Sequence, residues 1–224
     1  MLVAETLPLF PLGTVLLPGA SLPLHIFEPR YRQLTVDLVT GAVPSRSFGV
    51  IAVKQGLDSA EEIHEIGCTA VLREVRRLPD GRFDILTRGE RRFRLLDIDE
   101  TVAPYLIGSV EWVPDADPPA DAVMLVPMLA RAAREAHRRY CEVAWQHGEW
   151  AEPADDVDAA ALPHLLAADC LLPLEDRQAL LESCDPVQRL RLVRRLLIRE
   201  AAFLRTLRAV PVPLNQYAVQ TSRN

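Results

Sequence analysis

Thr6–Leu34 reads TLPLFPLGTVLLPGASLPLHIFEPRYRQL, and the reading of its first part decides the fold. From Thr6 to Phe27 no residue carries a formal charge when His25 is neutral, a run long enough to cross a bilayer. Its composition rejects a membrane helix. Pro8, Pro11, Pro18 and Pro23 each lack a backbone donor and clash with the preceding helical turn, and Gly13 and Gly19 add further breaks. A secretory signal is also excluded, because MLVAE carries Glu5 and no basic residue ahead of the apolar run. The stretch reads instead as extended pieces, LPLF, TVLL and LPLHIF, separated by PLG and PGAS turns. Such pieces suit strands covered on both faces, in a cytoplasmic protein that makes no use of a membrane.

The rest of the composition fits a globular chain. In 224 residues, a 49% hydrophobic content supplies a core, and a net charge of −6 opposes general attraction to nucleic acid or anionic lipid. Cys68, Cys141, Cys170 and Cys184 are widely spaced, with no CxxC pair and no matching His cluster. They read as reduced packing residues rather than as a zinc or redox site.

Outward from the opening stretch the pattern stays β-like. FGVIAV, GCTAVLREVRRL, RFDILTR, RRFRLLDI and YLIGSVEW read as strands, and LPDG after Arg77 is a hairpin signal. One helix interrupts them in FEPRYRQLTVDLVTG. Glu28 and Pro29 suit its start, Tyr31, Leu34 and Leu38 its buried stripe, and Gly41 its stop, so that Arg30 and Arg32 lean away from the core. VPDADPPAD, Val113–Asp121, marks the domain boundary. Beyond it Val126, Leu129, Ala133, Ala136, Tyr140 and Val143 recur at helical spacing, with Pro127 placed to start or kink that helix. After the acidic loop HGEWAEPADDVD come ALPHLLAADCLL, PLEDRQALLES and a last helix. Asp185 is placed to cap the last helix, Pro186 lies in its first turn, and Leu190, Val193, Leu197, Ala201 and Leu204 form its buried face.

Taken in order, these segments carry a resemblance. LPLFPLGTVLLPGASLPLHIFEPRYRQL is similar to the opening of the Lon protease N-terminal domain, the LON substrate-binding domain, with its LPL and LPLxIFExRY elements. FGVIAV, EIGCTAVLREVRRLPDGRFDILTRGERRFRL and ADCLLPLEDRQALLESCDPVQRLRLVRRLL resemble the later strands, hairpin and helices of that family. The likeness runs over about residues 5 to 205. It implies an α+β fold: a PUA-like, mainly antiparallel β domain (a pseudo-barrel) at 1–117, a C-terminal helical bundle at 118–210 and a tail at 211–224. It also implies recognition of unfolded or degron-bearing client proteins, in the setting of a Lon-type protease, by a stand-alone bacterial member without ATPase or protease domains.

No residue pattern signals catalysis. There is no GxxxxGK[ST] loop, and Lys54, the sole lysine, precedes Gln55; GxSxG, HExxH and GxGxxG are absent as well. Cys184 with His164 or His147 is the one conceivable nucleophilic pair, and Cys184 reads more simply as packing beside a helix cap. Asp155, Asp156 and Asp158 lack the spacing of a calcium loop and read as a solvated face. The expectation is a non-enzymatic protein with no cofactor and no metal site. Glu28, Arg30 and Tyr31 are the candidates for peptide contact, against a structural role in capping and packing. His25 reads as a satisfied core histidine. The alternative function is RNA binding by a PUA-like fold through Arg191, Arg195 and Arg199, which repeat every fourth residue on the last helix. That stripe lacks interleaved aromatics and reads also as a solvated or carboxylate-paired face.

Overall fold

The computed structural model describes residues 5–54, 62–145 and 150–207. The chain divides into two compact units, Met1–Val113 and Pro114–Asn224. The first holds six strands and one helix: β1 (Glu5–Leu12), β2 (Ser21–Ile26), α1 (Pro29–Thr40), β3 (Ser47–Ala52), β4 (Ile66–Arg77), β5 (Phe83–Asp99) and β6 (Ile107–Trp112). The second is helical: α2 (Ala120–Val123), α3 (Val126–Ala144), α4 (Leu162–Ala168), α5 (Leu174–Glu182) and α6 (Pro186–Leu207). The class is α+β.

The sheet runs in the order β2-β5-β4-β3-β1-β6 and closes by a further β5–β6 pairing. All pairs are antiparallel except β1 with β3, whose parallel run requires the β2–α1 crossover between them. β5 makes closure possible by its length of 17 residues. Its first half pairs with β2 and its second half with β6, along the same edge. Leu7, Leu9, Ile51, Phe93 and Val110 fill the interior. Phe10 and Tyr31 stack beside it with ring centroids 3.7 Å apart, and this stack seats α1.

The prolines of the opening stretch fit this ladder. β1 pairs with β6 through Glu5–Pro8 and with β3 through Leu9–Leu12. The Leu9 N–H bonds the Leu106 carbonyl and the Leu12 carbonyl accepts from Val53 N–H, so alternation turns Pro8 toward β3 and Pro11 toward β6. The nitrogen of Pro8 thus lies at the end of the β1–β3 ladder, which starts at Leu9–Gly49, and Pro11 lies past the end of the β1–β6 ladder, so neither missing N–H costs a ladder bond. TVLL differs from its reading as a strand: residues 13–20 form a turn-rich segment that nevertheless buries Val15, Leu16 and Leu17. Nor is β2 covered on both faces, since it alternates exposed and half-buried residues until Ile26. RFDILTR and RRFRLLDI are one strand, not two. Gly89 between them is no turn but a point of close approach, where an added Cβ would lie 2.3 Å from the Leu17 carbonyl oxygen.

In the helical unit Pro127 lies in the first turn of α3, which buries Ala133, Ala136, His137, Tyr140, Cys141 and Ala144. Asp185 caps α6, its Oδ1 accepting from Val187 N–H at 2.8 Å and Gln188 N–H at 3.2 Å. Leu190, Val193, Leu197 and Ala201 are buried along it. His147 and the segment 211–224 lie outside the described residues.

Candidate functional site

Among the described residues of the β-rich unit, a concavity of about 640 Å³ lies between α1 and the β4–β5 hairpin. Val36 and Val39 of α1, with Val75 and Phe83 of the hairpin, make its apolar wall; Arg32 and Arg77 supply its charge. Val36 and Val39 are 39% and 51% exposed, because Tyr31, Leu34, Thr35 and Leu38 take the helix's buried face and leave the valines on its flank. Among the described residues no acidic side chain lines the groove. The Arg32 and Arg77 guanidinium groups have no ion pair or hydrogen bond among the described residues, in contrast to those of Arg76 and Arg82 nearby. Arg76 bonds Asp84 at 2.7 Å and Arg82 bonds Asp80 at 2.6 Å.

The hairpin that forms one wall is fixed locally. Gly81 N–H bonds the Leu78 carbonyl, and Leu78 N–H bonds the Arg82 carbonyl at 2.8 Å. This turn needs a left-handed residue, and Gly81 supplies it with φ +81°. An added Cβ there would lie 2.6 Å from Arg32 Nη2, so the arginine lies directly against the turn.

Glu28, Arg30 and Tyr31 come together beside this groove's helix but not among its lining residues. Arg30 bonds Glu28 Oε2 at 2.9 Å and lies over the Tyr31 ring, 4.6 Å from its centroid. Tyr31 is 4% exposed. Glu28 occupies the N-cap position without a side-chain cap bond. His25 is not in the core as its sequence context suggested: it lies half-buried on β2, with Asp84 Oδ1 2.7 Å from Nδ1 and Arg82 Nη1 3.2 Å from Nε2. The His25 and Arg76 hydrogen bonds hold the Asp84 carboxyl below its ordinary range.

In the helical unit Arg191, Arg195 and Arg199 are all exposed on α6. Arg199 is carboxylate-paired, to Asp176 and to Glu200 at 2.7 Å, and these partners raise its pKa. Sequence reasoning missed Arg189, which is fully buried on the same helix. Its guanidinium donates to the Ser183 carbonyl at 2.8 Å, to Asp115 Oδ1 at 2.7 Å and to the Ala160 carbonyl at 3.0 Å. Thus it clasps three separate segments of the helical unit.

Cys184 is exposed, which corrects its reading as a packing residue, and its Sγ lies 3.5 Å from the Glu182 carbonyl. His164 is buried against the Leu180 carbonyl. Among the described residues Cys141 Sγ lies 3.5 Å from His137 Nε2, a contact that was not legible beforehand. Burial pushes the Cys141 thiol up to about 12 and the His137 imidazole down, opposite to the shifts that form a thiolate–imidazolium pair. Among the described residues no His, Cys, Asp and Glu cluster is placed to hold a metal ion, and Asp155, Asp156 and Asp158 do not converge into one. Nor is any described helix long and apolar enough to cross a membrane.

Comparison with known proteins places this fold. Residues 6–199 match the model of the ATP-dependent protease La (LON) substrate-binding domain. The chain belongs to that family. It is 30% identical over 211 residues to Lon protease of Desulfovibrio desulfuricans, an alignment covering 88% of this chain and 22% of the relative. With Lon protease 2 of Myxococcus xanthus the identity is 28% over 210 residues, covering 91% and 24%. The chain therefore spans less than a quarter of the length of these relatives. Among solved structures, the crystal structure of a Lon N-terminal domain protein from Xanthomonas campestris superposes with a TM-score of 0.56 at 26% identity, covering 92% of this chain and 99% of that one. The N-terminal domain of Mycobacterium avium complex Lon protease shares the fold, with a TM-score of 0.61 at 20% identity and coverage of 88% and 98%.

Proposed function

We propose that this chain is a non-catalytic protein-binding module that recognises exposed apolar segments of unfolded or degron-bearing clients, serving proteolysis or folding as an adaptor in the cytoplasm. The observation that carries the reading is the solvent-open groove beside α1, in a chain of the substrate-binding family. Val36 and Val39 are held half-exposed there at the expense of apolar hydration, which burial against a client's apolar side chain relieves. The raised Cys141 thiol and lowered His137 support the non-catalytic part of the reading.

The test is equilibrium binding of the chain to a reduced, carboxymethylated protein that cannot refold, with the same protein in its native disulfide-bonded form as control. The expected result is micromolar binding of the unfolded form alone, weakened about 10-fold by Val36→Asp or Val39→Asp, each of which loses roughly 1.4 kcal/mol of apolar contact. Absence of binding to the unfolded form at high micromolar concentration would overturn the reading. The adaptor role adds a second expectation: co-purification of a Lon-type protease or a chaperone with the tagged chain, dependent on the same valines.

A further inference from the structure

Among the described residues the groove's hairpin wall has an open strand edge. β3 pairs with β4 only through Cys68–Val71, and the last bond toward β3 is Leu72 N–H to the Arg46 carbonyl. Past Leu72, β4 pairs on one side alone, with β5. The Leu78–Arg82 bond that closes the hairpin fixes the alternation. Arg76–Asp84 and Glu74–Leu86 are then the hydrogen-bonded pairs, while Val75–Ile85 and Arg77–Phe83 are the non-bonded ones. Val75 and Arg77 therefore turn N–H and C=O away from β5. Among the described residues nothing accepts from or donates to these groups. Both residues also line the groove.

Two independent features thus lie in one place. The free main-chain groups of Val75 and Arg77 match an added strand, whose own N–H and C=O groups repeat at the same period. The side chains grade along the groove. Val39, Val36 and Val75 form its apolar end, and Arg32 and Arg77 gather at the end that abuts Gly81, with no carboxylate lining it. Lone arginines beside an apolar wall complement one charge sign, and a planar guanidinium favours a carboxylate partner over a lone carbonyl.

We propose that the groove takes an extended segment of another protein chain, added as a strand to β4 at Val75 and Arg77. Its apolar side chains rest on Val36, Val39 and Val75, and an Asp or Glu two or four residues away in the same segment pairs with Arg32 and Arg77. The proposal rests on the protein-binding reading and specifies its ligand: an apolar–acidic β segment rather than an amphipathic helix.

The test uses the full chain and fluorescein-labelled, amidated short peptides that alternate Thr with groove-facing Val, Val and Asp, made in both chain directions. Binding is followed by fluorescence anisotropy. The peptide is expected to bind in one direction, to weaken about 10-fold when its Asp becomes Asn, and to lose binding when the edge-facing amides are N-methylated. Arg77→Gln and Arg32→Gln are each expected to weaken the Asp peptide about 10-fold and the Asn peptide less than 2-fold. Val75→Pro removes one edge donor without touching the β5 ladder and is expected to act like N-methylation. If that variant fails to fold, the N-methylated peptide against the unaltered chain decides the point. Equal affinity for methylated and unmethylated peptides overturns strand addition, and equal affinity for Asp and Asn peptides overturns the carboxylate. If no extended peptide binds while the carboxymethylated protein does, the strand proposal fails and the protein-binding reading stands; if neither binds, both fail.

Discussion

Arg189 of the helical unit and the Arg32 and Arg77 pair of the β-rich unit place the same guanidinium group in opposite settings. Arg189 is withdrawn from water, and its planar fork reaches Asp115 and the Ser183 and Ala160 carbonyls. Arg32 and Arg77 border an open apolar groove without a carboxylate partner among the described residues. A buried charge is tolerated only where its hydrogen bonds are met inside the chain, and removing it leaves their acceptors unmet. An unpaired charge beside exposed valines has little to do for stability. On the proposed reading its chemistry serves a bound partner instead.

Breaking the comparison on the buried side should give the largest effect. Arg189→Met should destabilise the helical unit by about 3 kcal/mol, because the Ser183 and Ala160 carbonyls and Asp115 lose a shared donor. Urea titration of the far-UV CD signal measures it, and a loss below about 1 kcal/mol would mean that the clasp is not structural.

The interior of the helical unit also opposes a charge that it does not pair. Burial opposes protonation of His137, outweighing the pull of Glu152 and Asp169, so its folded pKa lies below the unfolded value of 6.5. The unfolded chain then takes up the proton first. The stability due to neutral His137 is present above pH 6.5 and is lost as pH falls from there through the lower folded pKa, at no more than about 1.4 kcal/mol per pH unit. His137→Leu should flatten that dependence in denaturation curves taken between neutral and mildly acidic pH.

On the groove side the effects shrink. Gly81→Ala should cost about 1 kcal/mol, since an L side chain is strained at φ +81° and its Cβ displaces the Arg32 tip. Smallest of all, Arg32→Gln and Arg77→Gln should shift stability by less than about 0.5 kcal/mol. A larger loss in thermal or urea melts would assign the two arginines to the scaffold and remove the contrast with Arg189.

How much of this was legible varies with the range of the forces involved. α1 and α6 were, because Pro29, Gly41, Asp185 and Pro186 act on backbone groups within one turn and the apolar stripes repeat at the helical period. The LPDG hairpin was legible for the same reason. TVLL and β5 were not. Val15, Leu16 and Leu17 are apolar because they are buried, which a turn-rich segment achieves as well as a strand, and Gly89 breaks no strand because it admits the Leu17 backbone. His25 reads as apolar-flanked in the chain yet meets Asp84 only through the β2–β5 pairing, 59 positions on. Cys184 has the same ambiguity in reverse: a cap neighbour need not be buried.

The groove itself has no signature in one dimension. Val36 and Val39 fall off the Tyr31, Leu34 and Leu38 stripe, which is a signal of surface apolarity, but their partners Val75, Arg77 and Phe83 come from another part of the chain. By itself the sequence determined the helix that interrupts the strands, the hairpin and the helical half, since each rests on local capping, turn chemistry or periodic burial, while the fold family was indicated by the resemblance of its ordered motifs. Tertiary structure decided which arginine is clasped, which strand edge stays open and which valines share a wall. Those properties depend on which distant groups are brought within hydrogen-bond or van der Waals range, and no local pattern encodes that distance.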